Sequence, residues 1–222
     1  MRFFFPKILF LYVLLALVAA PLVFQFFSEP QSEIAAHYPF SVFFNGGIAF
    51  LIYYFALKGR IFEKPVIREK KPFFVYASTA LITFGVLCLS SVFFELLSFF
   101  GNFSSGIQRI AFPSGLFGFL NFISGVVFAS FFEEVIYRFY FPESLKDFSI
   151  NPKLSVLCET ITVILFAAGH IYLGLFGFLN ALVSGAALRF CVKKTCSVFP
   201  AFIVHTIYNF LTFLCFYFIQ RN

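Results

Sequence analysis

Tryptophan is absent from this 222-residue chain, and charged residues make up only 12% of it. A soluble domain carries about 25%. With 61% hydrophobic residues, the chain has too few polar side chains to cover a water-facing surface. A soluble globule is excluded, and no separate soluble domain fits. Cysteine is sparse and poorly spaced for metal. Cys88, Cys158, Cys191, Cys196 and Cys215 form no CxxC pair, and an odd number set mostly in apolar runs reads as reduced thiols. There is no HExxH, so no local zinc motif exists. Phenylalanine is in excess instead, at 41 residues, and reads as filler of lipid-facing positions. The net charge of +6 does not point to nucleic acid, because the basic residues sit in short gaps between apolar runs, where topology signals sit.

Those runs organise the chain. They cover 8–27, 40–57, 73–100, 115–146, 153–173, a stretch ending at Arg189, Lys193 and Lys194, and 198–219. The first could be a signal peptide cut after Val18-Ala19-Ala20. It is too long for an ordinary signal core, and Pro21 would follow the cut, so a retained membrane helix is the better reading. Gly174 and Gly177 separate the fifth and sixth runs. Pro142 marks a possible kink in the fourth, and Asn151-Pro152 a helix start. The expected fold is all-α, a polytopic transmembrane bundle of about seven helices. Residues 1–114 hold helices one to three with a basic loop, and 115–222 form the core that carries the chemistry.

Alternating the gaps with the N-terminus inside puts thirteen cations there: Arg2, Lys7, Lys58, Arg60, Lys64, Arg68, Lys70, Lys71, Lys146, Lys153, Arg189, Lys193 and Lys194. Arg109 and Arg221 fall outside. The bias predicts a cytoplasmic N-terminus. The basic gap at 58–72 reads as a loop near anionic headgroups. Glu95 is expected at the outer interface and Glu159 at an interface or beside a loop cation.

One cation does not fit that pattern. Arg138 lies in the fourth apolar run with Glu133 and Glu134. A charge at the bilayer centre costs at least about 2.5 kcal/mol on insertion scales, so three within six residues need partners, water or a task. Glu134 and Arg138 are i,i+4 and can meet. Glu133 is turned about 100° away and faces a different partner. Later runs repeat the i,i+4 spacing at Phe166/His170 and at His205/Asn209. Helices four and five form a hairpin, which leaves Glu133 and His170 within roughly 5 Å in depth at ~1.5 Å rise per residue. His205 lies only a few residues into the last run. It meets the others only if that helix starts deep or the cavity opens toward the cytoplasmic half. A carboxylate and an imidazole can polarise a water, and an imidazole with an amide can hold an oxyanion. The same residues could instead be zinc ligands, two His and a carboxylate.

In this order and in apolar helices, Glu133-Glu134-x-x-x-Arg138, Phe166-x-x-x-His170 and His205-x-x-x-Asn209 resemble the CAAX protease and bacteriocin-processing family of intramembrane endopeptidases. The resemblance covers about 115–219. It implies a helical bundle with a peptide-admitting cavity and cleavage near a membrane surface, on prenylated C-termini in eukaryotic members and in bacteriocin maturation or immunity in some bacterial ones. It implies Glu133 as general base, His170 as its water-holding partner, His205 and Asn209 as the oxyanion pair, and Glu134 with Arg138 as support. No cofactor is certain. A zinc-dependent version would use Glu133, His170 and His205. The expected partners are the lipid bilayer and a peptide or membrane-anchored protein substrate, with no nucleic acid. The expected location is a bacterial cytoplasmic membrane, where prenylated substrates are not expected.

Two rival functions use the same residues. An ion-coupled transporter would also carry intramembrane Glu, His and Arg, but it calls for inverted repeats or broken helices in matching halves, and the sequence shows neither. A non-catalytic immunity or scaffold protein of the same family would tolerate loss of Glu133.

Overall fold

In the computed structural model the apolar runs fold as helices, close to where hydropathy puts them. The structure describes residues 33–35, 37–58, 70–101, 109–111, 113–147 and 152–221. The expected first helix at 8–27, the cations Arg60, Lys64 and Arg68, and the turn at 148–151 lie outside the described residues. The helices are α1 (Phe40–Leu57), α2 (Phe73–Phe100), α3 (Gly115–Glu133), α4 (Phe141–Asp147), α5 (Pro152–Ala168), α6 (Gly174–Thr195) and α7 (Phe199–Arg221). Among the described residues, five helical stretches are long and apolar enough to cross a membrane, and Val156–Ala168 is a shorter apolar one. The chain is a multi-pass helical membrane protein. Much of its phenylalanine, including Phe40, Phe73, Phe74, Phe100 and Phe117, is exposed on the outside of the bundle, as expected of lipid-facing filler. The five cysteines are free, with Cys158 and Cys191 buried.

Local sequence sets the helix ends. Pro39 and Pro72 stand just before α1 and α2 with φ of −69° and −57°, and their carbonyls accept the first turn's N–H groups from Val42 and Val75. Pro152 is the first residue of α5, where its missing N–H costs nothing. Cys196 closes α6 in the left-handed conformation, with φ of 54°. In the bundle α2 packs on α6 and α7, α1 on α3, and α5 on α6. The main apolar core joins Ala49 and Ile52 of α1, Leu87 of α2, Val135, Ile136 and Phe139, Leu188 of α6, and Val198 and Ala201 around the start of α7.

Three features depart from the sequence reading. First, Pro142 does not break the chain's fourth helix. The irregularity precedes it. Glu134–Tyr140 is a π-helix joining α3 to α4, with i→i+5 bonds such as Phe141 N–H to the Ile136 carbonyl. Pro142 has no N–H to offer the carbonyl four residues earlier and its ring crowds that group; a wider turn upstream relieves both. Second, α5 ends at Ala168 rather than near 173. Gly169 and His170 turn, Ile171–Leu173 makes one 3₁₀ turn, and Gly174 with φ of 82° opens α6. Third, two short strands, β1 (Glu33–Ala35) and β2 (Arg109–Ala111), pair in parallel and tie the segment before α1 to the segment before α3.

Candidate active site

Glu133 and Glu134 straddle the junction of α3 with the π-helix. Glu134 is fully buried. Its Oε1 lies 2.8 Å from Nδ1 of His205 on α7. The other ring nitrogen, Nε2, lies 3.7 Å from Oε2 of Glu133. Consecutive helical residues diverge by about 100°, so a ring presented by the facing helix meets one carboxylate at each nitrogen. His205 lies on α7 just beyond Val198 and Ala201, which are packed in the core at 1% and 0% exposure.

Arg138 completes the ion cluster from the same helix. Its Nε is 3.6 Å from Glu134 Oε1, an ion pair too long for a hydrogen bond. Its guanidinium lies over the Phe166 ring, 3.5 Å from the centroid. Phe166 also has Tyr137 at 5.5 Å, His170 at 4.6 Å and His205 at 6.2 Å, centroid to centroid. It forms a wall shared by Arg138, His170 and His205, and its buried place against α6 depends on Gly185, where a Cβ would stand 3.1 Å from the ring.

His170 stands in the turn after α5. Its Nδ1 lies 2.9 Å from the Phe166 carbonyl oxygen. A carbonyl only accepts, so Nδ1 carries the proton and Nε2 is left as an acceptor in the neutral ring. Its charged and titratable neighbours are Glu133, His205 and Arg138. Asn209, one turn beyond His205, donates from Nδ2 to Ser130 Oγ at 3.2 Å. The structure thus brings together Glu133, Glu134, Arg138, His205 and Phe166, places His170 beside them, and holds Asn209 one turn further along α7 against α3.

Several neighbours had no signal of their own in the sequence. Ser130 and Asn180 look like ordinary small polar residues of apolar helices. Asn180 Nδ2 donates to the Tyr208 hydroxyl at 3.0 Å, and Ser90 Oγ donates to Asn180 Oδ1 at 2.6 Å. This chain couples α2, α6 and α7 next to Asn209. Tyr38 precedes α1, exchanges hydrogen bonds with Asn121 through its backbone N–H and carbonyl, and has Glu133 as a charged neighbour. Glu159, expected beside a cation, accepts from Arg189 Nη2 at 3.1 Å and Lys193 Nζ at 2.9 Å.

Buried polar atoms without a hydrogen-bond partner concentrate in the site. Among the described residues they include Oε2 of Glu133, Oε2 of Glu134 and all three nitrogens of Arg138. These groups keep hydrogen-bonding capacity that the described side chains do not meet. The two histidines hold Nδ1 against a carboxylate and a carbonyl, as metal-ligating histidines do. Among the described residues, no group of three His, Cys, Asp or Glu side chains gathers closely enough to hold a metal ion.

Residues 114–211 match the family model described as type II CAAX prenyl endopeptidase, Rce1-like. This segment is Rce1-like. No curated protein and no solved structure matches the chain. The Rce1-like segment runs from the residue before α3 into α7 and contains Glu133, Glu134, Arg138, Phe166, His170, His205 and Asn209. The family resemblance drawn from those residues is therefore borne out.

Proposed function

We propose that the protein is an intramembrane endopeptidase in which Glu133 activates water against a peptide bond of a membrane-associated protein or peptide. The observation that carries this reading is the His205 ring between the two carboxylates, 2.8 Å from Glu134 and 3.7 Å from Glu133. Glu133 is the more open of the pair, with 26% of its side chain exposed against 0% for Glu134. Glu133 therefore serves as base, and Glu134 as the group that orients His205 while Arg138 balances its charge.

In the proposed reaction Glu133 takes a proton from water as the water oxygen bonds to the scissile carbonyl carbon. His170 Nε2 accepts the water's other hydrogen and orients it. The carbonyl oxygen becomes an oxyanion and receives a hydrogen bond from Asn209 Nδ2 once this group turns from Ser130. His205 Nε2 is a second donor when the ring carries both protons; in that state Glu133, Glu134, Arg138 and His205 sum to zero charge. Glu133 then passes its proton to the leaving nitrogen, the C–N bond breaks, and an acid and an amine depart. The proposed setting is a bacterial cytoplasmic membrane with the N-terminus inside. The basic gap at 58–72, with Lys58, Lys70 and Lys71 at its ends, supports that orientation.

Cleavage of a quenched peptide library in defined liposomes tests the reading, with wild type, Glu133→Gln and His170→Ala, each with and without a zinc chelator. Activity lost in both variants and kept with chelator is the expected result. Loss with chelator and recovery with zinc would move Glu133, His170 and His205 to the role of ligands. Equal activity in all three proteins would overturn the site.

A further inference from the structure

A second ionic cluster lies one helix end away from the site. Arg189 of α6 is 5% exposed and reaches three other elements. Its Nη2 donates to Glu143 Oε1 on α4 at 2.8 Å and to Glu159 Oε1 on α5 at 3.1 Å. Its Nη1 donates to the backbone carbonyl of Arg138, inside the π-helix. That carbonyl is four residues before Pro142, so proline has removed the N–H that an α-helix would supply. The guanidinium provides a donor in its place.

π-helical turns are rare and occur mostly as single turns at functional sites. Here the π form matters to the chemistry, because it determines how Glu134 and Arg138 are turned relative to Glu133 just before them. A segment seven residues long in this form needs its displaced carbonyl satisfied, since an unpaired buried carbonyl costs about 1–3 kcal/mol. Arg189 meets that need from a neighbouring helix while its other nitrogen anchors the two flanking helices through Glu143 and Glu159. The fork reaches the carbonyl with one nitrogen and the two carboxylates with another; the three N–H donors of a lysine all leave one nitrogen, which cannot stand at both places.

We propose that Arg189 is a positioning residue: it holds Glu134–Tyr140 in the π form and thereby sets Glu133 and Glu134 at the two nitrogens of His205. This rests on the reading of those residues as the reactive site, but it concerns the shape of the site and can be read without any cleavage.

The test is nitrogen NMR of the full chain in lipid nanodiscs with ¹⁵N-labelled histidine. The chain has three histidines, and the His205 signals are assigned by their absence in His205→Gln. In wild type the Nδ1–H signal of His205 reports its hydrogen bond to Glu134. Arg189→Lys keeps the charge beside Glu143 and Glu159 but loses the fork. The expected result is a displaced or lost Nδ1–H signal in a protein that still elutes as a folded monodisperse species. A wild-type signal in folded Arg189→Lys would overturn the proposal. Should that variant not fold, Arg189→Lys/Pro142→Ala decides. The second change returns an N–H to the Arg138 carbonyl in place of the lost fork and lets the turn close, so a folded protein with a displaced signal is expected and an unchanged one overturns the proposal. If the liposome assay shows no cleavage while the signal moves, the positioning role stands and the protease reading alone fails.

Discussion

The guanidinium of Arg138 lies over Phe166, with its central carbon 3.5 Å from the ring centre. The contact joins the π-helix to α5 and puts the site's cation against an aromatic face rather than in water. It makes Phe166 more than a packing residue. Phe166→Leu keeps an apolar wall of similar bulk and removes the ring. A desolvated cation–π contact is worth about 2 kcal/mol. The expected outcome is a stability loss of about 1–2 kcal/mol, read as a lower denaturation midpoint. A cleavage rate lower by about tenfold is expected as well, equivalent to about 1.4 kcal/mol in the barrier, as Arg138 and His170 lose their shared support. A variant with unchanged rate would show that the ring only fills space.

Cys196 is the one described non-glycine residue with positive φ, at 54°. It closes α6, where a left-handed residue is usual and glycine is preferred. The strain on a residue with a Cβ is roughly 1 kcal/mol, and its thiol makes only a weak contact with the Lys193 carbonyl at 3.7 Å. Cys196→Gly is expected to stabilise the protein by about 1 kcal/mol, seen as a higher unfolding midpoint with unchanged cleavage. A lower midpoint would mean that the thiol contact outweighs the strain.

Tyr38 and Gly125 make a close approach between the segment before α1 and α3. A Cβ on Gly125 would stand 2.1 Å from Tyr38 Cδ2 and 2.6 Å from Tyr38 Cβ. Rotation of the ring cannot relieve the second contact. Gly125→Ala is expected to cost about 1–3 kcal/mol, as overpacking does, and to push Tyr38 away from Asn121. In Gly125→Ala/Tyr38→Ala the combined loss should be smaller than the sum of the single losses, because neighbours in contact couple. Additive losses in a denaturation series would argue against a clash at this pair.

Much of this was legible from spacing alone, because a membrane penalises charge so heavily. Glu133, Glu134 and Arg138 stood out against their apolar surroundings, and His170, His205 and Asn209 were the few polar residues able to answer them. Helix positions followed from run length and, for α5, from Pro152. Other features were not legible. The meeting of His205 with both carboxylates depends on how α7 packs against α3, which no count along the chain gives. Arg189 looked like a topology cation, since its sequence neighbours Lys193 and Lys194 are. Its true partners lie 30 to 51 positions away. Pro142 announced an irregularity, but hydropathy has no term for whether a helix kinks at a proline or widens before it.

The three motifs share one spacing on paper and three kinds of support in space. His205 and Asn209 ride one α-helix, so each fixes the other's bearing. Glu134 and Arg138 stand on a widened turn held from outside. Phe166 and His170 straddle a helix end: the first is packed inside α5, while the second stands in the turn, held by a side-chain hydrogen bond to the Phe166 carbonyl and by ring contacts with Phe166 and Tyr172, with Gly174 at φ 82° four residues on. A helix places its side chains by repetition, and a turn places them one torsion at a time. Of the polar groups around Glu133, His170 is therefore the one whose aim a change far from the site, at Gly174, could alter without touching a carboxylate.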